Sequence, residues 1–471
     1  MHRLFKLPAV LLFTSLAVAA QNPHTLTYAP GKSITLSLPS ELDINVAASG
    51  LHRVRFFAQA PDGRVFATGM YNLADNTQGS VYILDGWDNN THTFTKITHY
   101  LDHLRNPNNL AFYTDTATKQ SWLYVPLTDK LVRYKYNTGD NAPSSLPETL
   151  VRFPDYGLSY KYGGWHLTRT VTAATLHGKP RIFVSTGSSC NYCQEREVLR
   201  AAVLSMNPDG SDQTVVAQGL RNAVDLRYVP DLDGGALFAT DMGDDHLGDQ
   251  LPEDTFFELD ANNHPGPITA KPAPNYGWPT CYFGNGKPVH DTTPLPSMTD
   301  SNDTKIVAPR PAAAVKNDAS VYGKQAGVAS AGTNLAAGGG NASAADPNAA
   351  LGHAPEPLSA CGKVPPAYTT FAAHSSPLGF AYFADKSTAL HDSFLIALHG
   401  AGHPHIGTGY RVVRVSPADH KPRDFLTGFL TLDHGKPAVH GRPCGILRLG
   451  PDTFLLTDDY LGLVYYIHPR G

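Results

Sequence analysis

The sequence predicts an all-β fold, a six-bladed β-propeller with a long irregular insertion between the fourth and fifth blades. Three observations carry this. Six short apolar segments share one shape: Arg64-Val-Phe-Ala-Thr68, Trp122-Leu-Tyr-Val-Pro126, Arg181-Ile-Phe-Val-Ser185, Ala236-Leu-Phe-Ala-Thr240, Ser393-Phe-Leu-Ile-Ala397 and Thr453-Phe-Leu-Leu-Thr457. Outside the insertion, consecutive copies lie roughly 55 to 60 residues apart, a period that one propeller blade per copy produces. Each copy is followed by a second apolar strand: Val81-Tyr-Ile-Leu84, Leu131-Val-Arg-Tyr134, Ala202-Val-Leu-Ser205, Phe256-Phe-Glu-Leu259, Tyr410-Arg-Val-Val-Arg414 and Val464-Tyr-Tyr-Ile467. Sustained helical periodicity is missing beyond the N-terminal apolar run, which argues against alternating strands and helices.

Composition agrees. The 471 residues include 42 Gly, 37 Pro, 22 Tyr and 20 Phe, and only 17% are charged, as many short strands joined by turns require. Pro61-Asp-Gly63, Pro230-Asp-Leu-Asp-Gly234 and Pro451-Asp452 supply tight turns into three of the apolar segments. A net charge of −4 provides no electrostatic footprint for nucleic acid or an anionic membrane, so a small neutral or weakly charged partner is expected.

Along the chain, residues 1–20 read as a secretory signal. His2, Arg3 and Lys6 form a basic start, residues 7–16 an apolar core, and Ala17-Val-Ala-Ala20 a small-residue cleavage site. The apolar core is shorter than the roughly 18 to 20 residues that span a bilayer, and no later segment is apolar enough to do so. The expectation is a mature propeller over residues 21–471, secreted or periplasmic, with no membrane span after signal cleavage. Residues from about 300 to 357 are rich in Ala, Gly, Asn, Ser and Pro, include Ala336-Ala-Gly-Gly-Gly340, and read as a surface insertion without core pattern.

Export permits disulfides, and there are five cysteines. Cys190-Asn-Tyr-Cys193 is a close pair; Gln194 stands where c-type haem attachment needs His, and no second pair exists to complete a structural zinc site. Cys281 and Cys361 bracket the insertion and make the other plausible bridge, leaving Cys444 free.

In a propeller, loops at one end of the blades converge around the axis, so chemistry is expected just beyond the apolar segments. Gly219-Leu-Arg221-Asn222, the acidic loop Asp241-Met-Gly-Asp-Asp-His-Leu-Gly-Asp249 and Asn275-Tyr-Gly-Trp-Pro279 together suit a pocket for a flat anionic cofactor and a divalent cation. His166, in Gly163-Gly-Trp-His166-Leu-Thr-Arg169, is the natural base for a substrate hydroxyl, because imidazole titrates near neutrality. Arg221 and Asn222 can bond oxygens that gain charge in a transition state. Hard oxygen donors at the density of the 241–249 loop suit calcium, although the spacing is not that of an EF-hand. His399-Gly-Ala-Gly-His403-Pro-His405 and His374 are further candidates.

These residues resemble the soluble glucose and sorbosone dehydrogenase family, six-bladed propellers that use pyrroloquinoline quinone. The resemblance runs through His166-Leu-Thr-Arg169, Gly187-Ser-Ser-Cys-Asn-Tyr-Cys193, Gly219-Leu-Arg-Asn222, Leu247-Gly-Asp249 with Pro252, Asn275-Tyr-Gly-Trp-Pro279, Ala373-His-Ser-Ser-Pro-Leu-Gly379, Gly409-Tyr-Arg-Val-Val-Arg-Val415 and Gly441-Arg-Pro443, in that order. It implies that His166 is the general base while hydride passes to the quinone, that Arg221 and Asn222 sit at the quinone oxygens, and that Gly243 and Asp244 offer carbonyls to calcium. It further implies cofactor contacts from Arg169, Asp249, His374, His399 and Arg411. The substrate would be an aldose or sugar aldehyde, and the electrons would go to an external acceptor.

Two departures stand out. Where sorbosone-branch relatives read His-Gly-Ser-Trp-Asn-Arg, this chain reads His399-Gly-Ala-Gly-His403-Pro404, and Ala223-Val-Asp225 replaces the usual Pro and Gly. Losing one charged partner of a carboxylate costs roughly 1.5 to 3 kcal/mol of cofactor binding; His403 and Arg411 are the residues that could replace it. Two other functions stay open: a propeller that binds carbohydrate without turnover, and a calcium-dependent lactonase with an axial metal.

Overall fold

The apolar segments form strands because they are buried on both faces. In the computed structural model, which describes residues 21–154, 166–176, 178–232, 234–259, 273–295, 349–385 and 388–471, each becomes the second strand of a four-stranded antiparallel sheet. These second strands are Val65–Gly69, Ser121–Pro126, Lys179–Thr186, Ala236–Asp241, Ser393–Leu398 and Phe454–Asp458, in blades 1 to 6. The predicted partner segments are the third strands. Inside each pair lies a first strand, and the six first strands neighbour one another in a closed ring around the axis. Blade 6 takes its outermost strand, Leu42–Ala48, from the start of the propeller, where it pairs with Leu463–Pro469 and joins the two ends of the ring.

The outermost strand of blade 4, Thr369–Phe371, follows the insertion and pairs with Asp254–Leu259. The insertion therefore interrupts blade 4 between its third and fourth strands. Both predicted disulfides form, Cys190–Cys193 and Cys281–Cys361, the latter holding together chain 80 residues apart; Cys444 is free and buried. The expected signal segment, residues 1–20, and most of the insertion lie outside the described residues. Among the described residues, helix is confined to single 3₁₀ turns at Ala349–Leu351 and Pro404–Ile406, and no helix is long and apolar enough to cross a membrane.

Blades pack face to face through apolar layers such as Phe66, Ile83, Leu123 and Val125 between blades 1 and 2. Polar latches add direction to this packing. Near the end of four second strands a buried hydroxyl donates to the main chain of the next blade: Thr68 Oγ1 to Asn108 O (2.6 Å), Ser185 Oγ to Ala223 O (2.7 Å), Thr240 Oγ1 to Leu378 O (2.9 Å) and Thr457 Oγ1 to Arg55 O (2.5 Å). The Ser or Thr that closes each of these apolar segments in the sequence is thus a joint between blades. Thr457 Oγ1 also accepts from Gly445 N at 2.6 Å. Thr457→Val is expected to leave both backbone groups unpaired and to destabilise the fold by about 1–3 kcal/mol, read as a lower urea midpoint at unchanged slope.

The axis itself is filled. Phe56, Val224, Leu378 and Cys444 from four first strands pack together. Beside them Arg55 donates to Asn108 Oδ1 (3.2 Å from both Nε and Nη2), and Asn108 Nδ2 donates to Thr170 Oγ1 (2.8 Å) and Val224 O (3.1 Å).

Candidate active site

Two sets of loops share one end of the propeller: those entering the first strands and those leaving the second strands. His166 and Arg221-Asn222 belong to the first set; residues 187–201, 242–253 and 399–410 belong to the second. Gly187 is where they meet. A Cβ on it would lie 2.4 Å from His166 Cβ and 2.7 Å from Asn222 Oδ1, so only glycine allows the imidazole and the amide to approach this closely.

His166 Nδ1 lies 2.9 Å from Ser188 Oγ and 3.1 Å from Ser188 O. Ser188 Oγ donates its own proton to Cys190 O at 2.6 Å. The hydroxyl can therefore only accept from the ring, which places the imidazole proton on Nδ1 and the lone pair on Nε2. His166 is half-buried, and its ring sits deep among protein atoms. That burial, followed by the positive charges of Arg221, Arg200 and Arg169, holds it well below the ordinary histidine range. A neutral imidazole with a basic Nε2 is the form a general base needs.

Asn222 is buried, its N–H donates to Asp241 Oδ1 at 2.6 Å, and its Nδ2 faces Met242 Sδ at 3.5 Å. Its Oδ1, on the His166 side, is a buried acceptor with no partner among the described residues. Arg221 is also buried, but its donors are committed: Nε to Asn191 O (2.9 Å), Nη2 to Asn191 Oδ1 (2.6 Å), and Nη1 to Gly243 O (2.7 Å) and Met242 O (3.5 Å), with Asp245 Oδ2 at 3.6 Å. The guanidinium ties the Cys190–Cys193 loop to the acidic loop and contributes its charge to the His166 surroundings. Trp278, from the predicted aromatic turn, adds Nε1 to Asn191 O at 3.3 Å.

The carboxylates of the 241–249 loop do not converge on one point. Asp241 accepts the main-chain N–H groups of Arg221 and Asn222. Asp244 Oδ1 lies 2.5 Å from His246 Nδ1, and His246 Nε2 lies 2.7 Å from Asp291 Oδ2, with Tyr192 stacked on the ring at 3.9 Å. Asp245 faces His374 Nδ1 at 3.2 Å, while His374 Nε2 bonds Gly248 O at 2.9 Å. Asp249 is exposed. Of the two carbonyls expected to face calcium, that of Gly243 accepts from Arg221; the Asp244 carboxylate lies beside His246. Among the described residues the only cluster with metal-like donor types is Cys190, Cys193 and Glu195, whose sulfurs are in a disulfide.

Other predicted residues have mainly structural surroundings. Arg169 is buried and donates to His166 O (2.6 Å) and Thr168 O (2.9 Å), which holds the His166 main chain from behind. His399 donates to Asp459 through Nε2 (2.8 Å), and its Nδ1 faces Arg442 at 3.4 Å. Arg411 points outward, bonding Asp424 at 2.9 Å, and His403 is exposed. The guanidinium beside the altered 399–405 stretch is Arg442, which donates to Gly400 O and Ala401 O, both at 3.0 Å. A cavity of about 30 Å³ bordered by Arg221, Asp244, Tyr276 and Trp278 has room for about one water and is lined by neither His166 nor Asn222.

The pyranose dehydrogenase PQQ domain from Coprinopsis cinerea, in its holo form, superposes with a TM-score of 0.57 at 14% identity, covering 93% of this chain and 97% of that one. The calcium structure of a Trichoderma reesei carbohydrate-active enzyme of family AA12 gives 0.57 at 16%, covering 92% and 96%. The soluble aldose sugar dehydrogenase of Escherichia coli, in its apo form, gives 0.52 at 13%, covering 91% and 100%. This chain has their fold. No family model matches the sequence, and no curated protein matches it.

Titration around this face has one sign near neutrality. Burial works against charge on His246, but Asp244 and Asp291 outweigh it and raise its pKa. Burial pushes the carboxyls of Asp241, Asp254 and Glu195 up to about 7. All four groups bind a proton more tightly folded than unfolded, so the stability they confer is lost as pH rises through about 7. His166 and His399, both lowered first by burial, oppose this only below about 6.5, where the unfolded chain takes up their protons. The Tm is therefore expected to rise as pH falls from about 8 to about 6.5, with a shallower slope in His246→Gln, measured by thermal scans across that range.

Proposed function

We propose that this chain is an exported member of the soluble glucose and sorbosone dehydrogenase family, a quinoprotein that oxidises an aldose or related sugar aldehyde and passes electrons to an external acceptor. One observation carries the reading: beside Gly187, a neutral imidazole with its lone pair on Nε2 adjoins Asn222 Oδ1, a buried acceptor without a partner among the described residues. The sugar or carbohydrate named for all three similar proteins, and the PQQ domain named for the first, support it.

The residues suit an anionic quinone. The charges of Arg221, Arg200 and Arg169 all act at His166, and a positive field in a partly dehydrated site favours a ring bearing carboxylates. Pyrroloquinoline quinone, when bound, supplies a two-electron acceptor for hydride. The chain's own part is to hold and deprotonate the sugar. His166 Nε2 accepts the proton of the hydroxyl on the carbon being oxidised, and Ser188 keeps the ring in the tautomer that can do so. Asn222 Oδ1 accepts from a neighbouring sugar hydroxyl. No step is routed through calcium; the Gly243 carbonyl, one of its two expected donors, accepts from Arg221. An axial metal, as the lactonase reading needs, would meet the Arg55 guanidinium and an apolar plug.

The test is reconstitution of the purified chain with the quinone, with and without calcium, followed by dye reduction with a panel of aldoses. Sugar-dependent dye reduction, strongly reduced in His166→Ala, is the expected result. Sugar binding with no dye reduction under any of these conditions would leave a carbohydrate-binding propeller, and lactone hydrolysis without quinone a lactonase.

A further inference from the structure

The end of the propeller opposite His166 carries a different feature. The hairpin between the third and fourth strands of blade 1, Gly79–Asp88 and Thr93–Leu104, turns through Asn89-Asn90-Thr91. This is an Asn-x-Thr triplet, the acceptor pattern for N-glycosylation in exported chains. Asn89, Asn90 and Thr91 are all exposed. The turn is held without help from the triplet's acceptor amide: Asp88 Oδ1 accepts from Asn90 N at 2.8 Å, and His92 takes the left-handed conformation with φ 55°.

Two residues before the acceptor stands Trp87, the next-to-last residue of the strand. Its Nε1 donates to Asn89 Oδ1 at 3.0 Å, which fixes the amide against the indole. Trp87 is wedged by Phe94 (4.9 Å) and Tyr466 (4.8 Å), so the platform is rigid. Beside it opens a groove of about 300 Å³, floored by Leu84, Trp87 and Phe94 and edged by Asp62, Arg64 and Asp85. An aromatic floor with a polar edge is the surface on which a pyranose ring lays its C–H face while its hydroxyls bond the rim.

We propose that Asn89 carries an N-linked glycan whose first N-acetylhexosamine packs on Trp87 in this groove. In the attachment step a glycosyltransferase joins Asn89 Nδ2 to the anomeric carbon of a lipid-pyrophosphate-linked oligosaccharide. The C–N bond forms, the C–O bond to pyrophosphate breaks, the lipid pyrophosphate leaves, and the amide proton passes to the transferase. The glycan extends from the face opposite the candidate active site and leaves that site open.

The full chain is secreted from a eukaryotic host behind the host's own leader, so failure of the native signal cannot affect the outcome. Peptides are mapped after enzymatic glycan release, which converts an occupied Asn to Asp. The expected result is conversion at Asn89, lost in both Asn89→Gln and Thr91→Ala; an Asn89 that stays unmodified overturns the proposal. Packing on the indole is read separately, from the drop in Tm on deglycosylating the folded protein. That drop should be present in the wild type and nearly vanish in Trp87→Leu, each variant being compared with its own deglycosylated form so that any loss of indole packing cancels. An equal drop in both, or none in the wild type, overturns the platform role of Trp87.

Discussion

Replacing His166 with Gln is expected to lower the rate of sugar-dependent dye reduction roughly a hundred- to ten-thousand-fold, the usual worth of a positioned base, with Tm almost unchanged. The effect should fall on kcat more than on KM, because the imidazole acts on a proton that moves only as the substrate is oxidised. The wild-type pH profile should carry the mark of the environment. Because burial and then three guanidinium charges depress the His166 pKa, activity should persist below about 6.5, where an ordinary histidine is half protonated. Ser188→Ala tests the tautomer argument in the same assay. It removes the acceptor at 2.9 Å but keeps the Ser188 carbonyl at 3.1 Å, so it should lower kcat by a smaller factor than His166→Gln. A His166→Gln enzyme as fast as the wild type would remove the base from the proposal.

How much of this was legible in the sequence follows from which interactions are local. The second and third strands of every blade stand out because they are buried on both sides, so Val-Phe-Ala or Leu-Phe-Ala runs recur at the blade period. The first strands, which form the ring around the axis, give no such signal. Register shifts break their alternation between Val54 and Phe57, Ala223 and Asp225, Pro377 and Phe380, and Pro443 and Ile446. Their residues divide between the axis, as Phe56, Val224, Leu378 and Cys444 do, and the layers between blades, as Val54, Leu226, Phe380 and Ile446 do. The same limit applies at the site. His166, Arg221 and Asn222 are visible as residue types in suggestive loops, but a sequence shows donors without showing their targets. Arg221 spends its donors on Asn191, Met242 and Gly243, and the 241–249 carboxylates divide among main-chain N–H groups, His246 and His374. Ser188 was in view in Gly187-Ser-Ser189, yet its role depends on where its proton goes, which only the approach of Cys190 O decides.

A buried ion pair joins residues about 400 positions apart where the ring closes, and it carries the second large prediction. Asp459 is 2% exposed and receives Arg55 Nη1 at 2.9 Å, His399 Nε2 at 2.8 Å and Arg53 Nη1 at 3.4 Å. Burial alone would raise its pKa, but these neighbours reverse the effect and hold it far below the usual carboxylate range. Burial, together with Arg55 and Arg442, keeps His399 neutral despite Asp459, so its Nε2 proton is donated to the carboxylate and its Nδ1 accepts from Arg442. Every charge in the cluster therefore depends on one anion. Asp459→Ala would leave the Arg55 guanidinium, 4% exposed, with only the neutral Asn108 oxygen, and breaking a buried pair from one side typically costs about 3–5 kcal/mol. Denaturant unfolding is expected to show a loss of that size. The double variant Asp459→Ala, Arg55→Met should recover part of it, because removing both charges avoids burying either alone; a double variant no more stable than the single one would mean that Arg55 is not the group left stranded.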